Sequence, residues 1–330
     1  MMVLVLHPRN AMLSYSTILI AIIPVFLVVG AGFFMQRRDW IGGEAVETGV
    51  MKLGLNVLIP CFILSVVPGN PALATALSAS WAMGTGFVVI VIGFTMAFLI
   101  GRLARMKRGE GARTFTLATG IQNYGYLPLP IMAELFPNDS GPQGLILVHG
   151  LGVELAVWTI GVSILAGKAN LKAVLNGPFI ATVVALILNF TGLHEFIPKI
   201  AQTFFGMMGV CAIPMAIFMI GATMSRFFEA AAFRRADTFK TVIVSCIVRL
   251  GIMAAIIMAI AIYLPMPEEL KRVMVVQAAM PAAIFPIVVV RLYGGHPATA
   301  IQVVLATSIV SIGTAPLIIA LGMKWIGVEG

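Results

Sequence analysis

The sequence predicts an all-α polytopic membrane protein of ten transmembrane helices, arranged as two inverted five-helix repeats. Three observations carry this. The 330 residues are 60% hydrophobic and only 10% charged, with a mean hydropathy of +1.04; a soluble domain is usually about a quarter charged. Ten apolar stretches follow one another, joined by loops of at most about 15 residues. Two of these stretches break around prolines in the same way, about 155 residues apart.

A span needs roughly 20 apolar residues to cross the hydrocarbon core. The first is expected at 15–36, after a short polar tail. It is too long for a signal-peptide core and lacks a cleavage site, so it is read as a retained helix. The second, 46–67, contains Leu58-Ile-Pro60, and the third is 81–101. The fourth, 112–136, is the first broken one, with Gln122-Asn-Tyr-Gly-Tyr-Leu-Pro-Leu-Pro130 at its centre. The fifth, 142–166, carries His149 and Glu154. The sixth is 172–191, and the seventh, 201–224, contains Ala212-Ile-Pro214. The eighth, 239–264, carries Arg249. The ninth, 270–292, breaks at Gln277-Ala-Ala-Met-Pro281, with Pro286 beyond, and the tenth is 298–326. Proline removes a backbone donor and blocks the preceding helical turn. In hydrocarbon such a break survives only when buried in protein or lining a polar cavity. Matched breaks in two halves point to a secondary-transporter binding site.

The repeat rests on register. Pro60 and Pro214 are 154 residues apart, Pro130 and Pro286 are 156, and Gln122 and Gln277 are 155. A unit of five spans is odd, so the second copy enters the membrane upside down. Charge sets the orientation. Basic loops around Arg37-Arg38, Arg102 to Arg108, Lys168 to Lys172, Arg226 to Lys240 and Arg291 alternate with poor ones. About 14 Lys/Arg fall on one side against about 5 on the other. By the positive-inside rule the rich side is cytoplasmic and both termini lie outside.

Other classes are excluded by the same pattern. The net charge of +8 sits in short loops between apolar spans, which marks topology and not a nucleic-acid surface. Cys61, Cys211 and Cys246 lie inside apolar spans, with no metal spacing and no disulfide framework. No His-Glu-x-x-His or paired-aspartate motif suggests an intramembrane enzyme.

The stretch Asn123-Tyr-Gly-Tyr-Leu-Pro-Leu-Pro130 is similar to the signature of the auxin efflux carrier family. Ile23-Pro-Val-Phe-Leu-Val-Val-Gly-Ala-Gly32, Leu58-Ile-Pro60, Pro281-Ala-Ala and Tyr293-Gly-Gly also fit. The resemblance covers nearly the whole chain and is to short, bacterial-type members. It implies broken helices 4 and 9 crossing at mid-membrane, a fold shared with bile-acid symporters and sodium/proton antiporters. It implies one transporter domain over 1–330, with repeats at about 15–166 and 172–326. Spans 1, 2, 6 and 7 would form a scaffold, and spans 3–5 and 8–10 a mobile core.

Breaking a helix exposes an N-terminal end with partial positive charge, suited to an anion. Gln122, Asn123 and Gly125 stand before the first break, and Pro128 and Pro130 hold it open. Gln277 and Pro281 are their counterparts in span 9. Each amide either contacts substrate or satisfies freed backbone groups. Ionisable residues inside spans are costly and are functional candidates. Glu154 lies roughly 18 Å into span 5 and Arg249 roughly 15 Å into span 8 from the other face, counted at helical rise. An ion pair between them is geometrically possible. Three roles are open: a structural pair, a proton carried by Glu154, or attraction of an anion by Arg249. His149 and Asn56 are further site candidates. Gly150, Gly152, Gly161 and Gly313 are expected to allow close helix packing.

The expected function is secondary transport of small organic anions across the cell membrane by an elevator-like movement, as uniport or with protons. The alternatives are a sodium-coupled symporter of the bile-acid type and a membrane receptor that does not transport. Span 9 offers no carboxylate, which counts against sodium. Expected partners are an organic anion and the lipid bilayer, with a homodimer possible. No nucleic acid, metal or cofactor is expected.

Overall fold

The computed structural model describes residues 15–106, 111–137, 139–167, 169–230 and 236–327. The polar tail before Tyr15 and the loop cations Lys107, Arg108, Lys168, Arg234 and Arg235 lie outside these residues. Among the described residues the chain is helical, with no strand.

Helix α1 (Tyr15–Arg37) is followed by α2 (Glu44–Leu53), which runs through a π-turn at Gly54–Leu58 into α3 (Ile59–Val66). A 3₁₀ turn at Pro71–Leu73 leads to α4 (Ala76–Leu103), whose first turn is capped by Thr75, its Oγ1 accepting from Ser78 N. The first broken span gives α5 (Ala112–Gly120) and α6 (Pro128–Leu135). Then α7 (Gly141–Ala156) passes through a π-turn at Val157–Gly161 into α8 (Val162–Ala166). After a 3₁₀ turn at Leu171–Val174 comes α9 (Gly177–Phe190), then α10 (Lys199–Val210) and α11 (Ala212–Ala230). Helix α12 (Ala236–Cys246) joins α13 (Met253–Tyr263) through a third π-turn, Ile247–Ile252. The second broken span gives α14 (Glu268–Ala279) and α15 (Phe285–Tyr293), and α16 (Pro297–Trp325) follows.

Among the described residues, seven helices are long and apolar enough to cross a membrane: Tyr15–Arg37, Ala45–Val66, Ala76–Leu103, Gly141–Ala166, Lys199–Arg226, Phe239–Tyr263 and Pro297–Trp325. The two broken spans and α9 fall short of that length. Helix α9 is an apolar helix of 14 residues, about 21 Å at helical rise, where the expected sixth span began at 172. Asn176 starts it late: its Oδ1 accepts from Phe179 N at 2.9 Å, and Pro178 suits the first turn.

Helices pack where glycine lets backbones meet. Helix α1 lies on α11, where a Cβ at Gly32 would overlap the Phe218 carbonyl and one at Gly221 the Val29 carbonyl. Helix α4 lies on α7 in the same reciprocal way, with Gly86 against His149 O and Gly152 against Met83 O. Gly161 packs on Phe94 and Leu117, and Gly150 touches Tyr124 at ordinary distance. Gly313 is a correction: a Cβ there would meet nothing within 4 Å, so it marks no helix crossing. The densest contacts fall within two sets of helices, with α1 also packing on α6 and α16 and α7 on α9 across them. In one, α1 packs on α11, and α3 on α9 and α10; in the other, α4 packs on α5 and α7, α14 on α13 and α16, and α12 on α16.

Candidate functional site

The two proline breaks meet. Gln122 and Ala282 form an antiparallel bridge, with Asn123 N donating to Pro281 O at 2.8 Å and Ala283 N to Ile121 O at 2.9 Å. Each break thus supplies partners for peptide groups that the other's unwound segment leaves outside a helix. Ala282 N donates to Thr307 Oγ1 of α16 at 3.1 Å, which ties the crossing to a continuous helix. Gln277 Nε2 donates to Tyr124 O at 2.8 Å. Pro128 and Pro130 stand in the first turn of α6, and Pro286 holds the same place in α15. These prolines start the second half-helices. Pro281 lies in the gap itself and serves through its carbonyl.

Beside the crossing lies a cavity of about 350 Å³. Asn56 reaches it from the first π-turn, Asn123, Tyr124, Gly125 and Tyr126 from the first break, and Ala283, Ile284 and Phe285 from the second. Glu154 and Trp158 line it from the fifth span, Asn176 and Thr182 from α9 and its cap, and Thr223 from α11. The N-terminal ends of α6 and α15 therefore open onto this space. Asn123 is 5% exposed, and its Oδ1 accepts from Leu127 N at 3.3 Å, within the unpaired first turn leading into α6. A Cβ at Gly125 would meet nothing within 4 Å, so the glycine leaves cavity space open and serves no protein backbone contact. Trp158 packs edge-on against Phe285 and Tyr293, with ring centroids 5.3 and 6.3 Å apart.

The expected candidates divide into two sets. Asn56, Asn123, Gly125 and Glu154 face the cavity; Gln122, Gln277, His149 and Arg249 are fully buried and do not line it. His149 Nδ1 lies 3.3 Å from Thr85 Oγ1. Arg249 sits in the third π-turn and donates to Gln122 Oε1 at 3.4 Å, while its Nε and Nη2 have no hydrogen-bond partner among the described residues. The Glu154–Arg249 pair is not formed. Glu154 Oε2 instead accepts from Asn176 Nδ2 at 2.5 Å. Depth along a helix fixed both residues near mid-membrane, but rotation about the two axes turns them to different neighbours. Asn176 was missed because its place inside the expected sixth span hid its role as a cap; the Asn-Gly-Pro string was the available signal.

A search of curated proteins gives no match. A family model described as membrane transport protein matches residues 17–170 and again 162–319, together nearly the whole chain. The crossing of two broken helices beside a lined cavity, in a chain of apolar helices, is consistent with such a carrier. The chain belongs to the membrane transport protein family, that of the auxin efflux carriers, and is a multi-pass membrane transporter.

Proposed function

We propose that this protein is a secondary transporter of small organic anions, carboxylates above all, moved by an elevator-like displacement. The carrying observation is the cavity at the crossing, where the N-terminal ends of α6 and α15 and the Asn123 side chain converge. A helix N-terminus favours an anion through its dipole; in α6 the dipole acts without free N–H groups, because Pro128 and Pro130 carry none and Leu129 N donates to Gly125 O. In this reading all ten segments span the membrane as two inverted five-helix repeats, with both termini on the non-cytoplasmic side. Helices α1–α3 and α9–α11 form the scaffold; α4–α8 and α12–α16 form the moving core. The densest packing, α1 on α11 and α4 on α7, lies within each group and supports that division, although α1 also packs on α6 and α16 across it.

The test is uptake into proteoliposomes of labelled mono- and dicarboxylates, with pH and sodium gradients imposed in turn and flux through protein-free liposomes subtracted. Saturable carboxylate flux without sodium is expected. A strict sodium requirement would favour the bile-acid type of symporter. Folded protein that passes none of the carboxylates would overturn the anion reading.

A further inference from the structure

Among the described residues lining the cavity, Glu154 carries the only formal charge, and Tyr124 and Tyr126 are the only other titratable side chains. No cation answers it there. Arg249 is turned to Gln122, and Arg226 is paired with Glu47. The carboxylate's partner is neutral: Asn176 Nδ2, at 2.5 Å. Asn176 is also the N-cap of α9, so one side chain joins Glu154 to the positive end of that helix. Helix α7 packs chiefly on α4, and α9 on α3. The bond therefore links the two helix groups that must part in the transport movement proposed above, on which this inference rests.

Charge decides how firm that link is. A hydrogen bond to an ionised acceptor is roughly twice as strong as a neutral one, and a helix N-terminus favours a negative charge. Drawing the ionised carboxylate away from both would strand a charge in an apolar space, which is costly. An anionic substrate entering beside it would also meet like charge. One proton on the carboxylate removes both obstacles. Lys172 stands in the 3₁₀ turn before the Asn176 cap, and that turn packs on the π-turn that follows α7, but Lys172 does not line the cavity. Tyr124 and Tyr126 face it from the first break. On α7 itself, His149 turns to Thr85 of α4. On α14, Glu268 and Glu269 stand in the first turn, and Arg272 pairs with Asp139 at 3.6 Å. Glu134 of α6 is exposed, and Cys61 of α3 is buried.

We propose that the Glu154–Asn176 bond is a proton-operated tie between core and scaffold, so that an organic anion crosses together with one proton. The proton is taken from water onto the Glu154 carboxylate and returned to water on the other face; only an O–H bond is made and broken. Asn176 is a positioning residue for that step.

The experiment uses the full chain in proteoliposomes, with labelled succinate and labelled benzoate as probes and protein-free flux subtracted. Wild type is expected to accumulate a probe above equilibrium when the outside is acidic. Glu154→Gln, permanently neutral, should lose that accumulation and the pH dependence of the initial rate. Asn176→Ala should keep accumulation but move the pH midpoint of the rate upward, because the ionised form loses its donor. Probe binding by each solubilised variant verifies the fold. A Glu154→Gln protein that still accumulates probe on a pH gradient overturns the proposal, as does an Asn176→Ala midpoint that stays put. Wild type that passes neither probe, nor any other carboxylate, instead overturns the underlying anion reading.

Discussion

Asn123 divides its polar atoms between two tasks. Its oxygen steadies the turn into α6 through Leu127 N, and in the function proposed above its amide nitrogen, at the cavity wall, meets the ligand. Asn123→Ala is expected to weaken carboxylate binding about tenfold, the value of one hydrogen bond of about 1.4 kcal/mol. Unchanged affinity in equilibrium binding would assign the side chain to structure alone. Arg249 gives the opposite expectation. Two of its nitrogens are buried without a partner among the described residues, and a buried charge that no opposite charge answers is costly. Arg249→Met should therefore hold or raise the melting temperature. A clear fall would mean the charge supports the crossing. Both residues were legible in the sequence as polar groups at mid-span depth. Their facing was not, because each lies next to or within irregular backbone, where a regular 3.6-residue count fails.

The broken and bulged elements show where such irregularity collects. Three π-turns occur among the described residues, and they carry Asn56, Trp158 and Arg249. Each adds a residue to a turn and re-aims its side chains, a device often found at functional sites. Proline spacing announced the two breaks, whereas nothing in composition announced the π-turns. The crossing also depends on α16, a helix with no break of its own. Thr307→Val keeps the shape but leaves Ala282 N without its acceptor. A loss of about 1–3 kcal/mol is expected for that stranded donor, read as a lower melting temperature, with Thr307→Ser retaining stability. Equal stability of the valine variant would show that the bridge stands without α16.

At the scale of the molecule, two reciprocal glycine contacts set how the helices pair. Gly32 and Gly221 let α1 and α11 touch backbone to backbone, and Gly86 and Gly152 do so for α4 and α7. Gly152→Leu or Gly221→Leu would drive a side chain into a carbonyl that cannot move aside. Either change should abolish monodisperse folded protein in size-exclusion chromatography, while Gly313→Leu, which meets open space, should not. The family, the apolar helices and the placing of the breaks were all legible from sequence. The choice among small residues was not, since Gly152 and Gly313 look alike until neighbouring helices are in place. The short reach of α9 was equally hidden, because hydropathy continues through 171–176 while the cap of Asn176 ends the preceding turn.

The bridge between the two breaks is built from peptide groups: Asn123 N to Pro281 O, and Ala283 N to Ile121 O. Every amino acid but proline carries the same donor and acceptor. The two bonds of the bridge itself therefore ask nothing of the side chains at Ile121, Asn123 and Ala283. In the carrier proposed above, a side chain added at Gly125, where a Cβ meets nothing within 4 Å, would reshape the cavity while the bridge that frames it persists. A carrier built in this way can be retuned one residue at a time without being rebuilt.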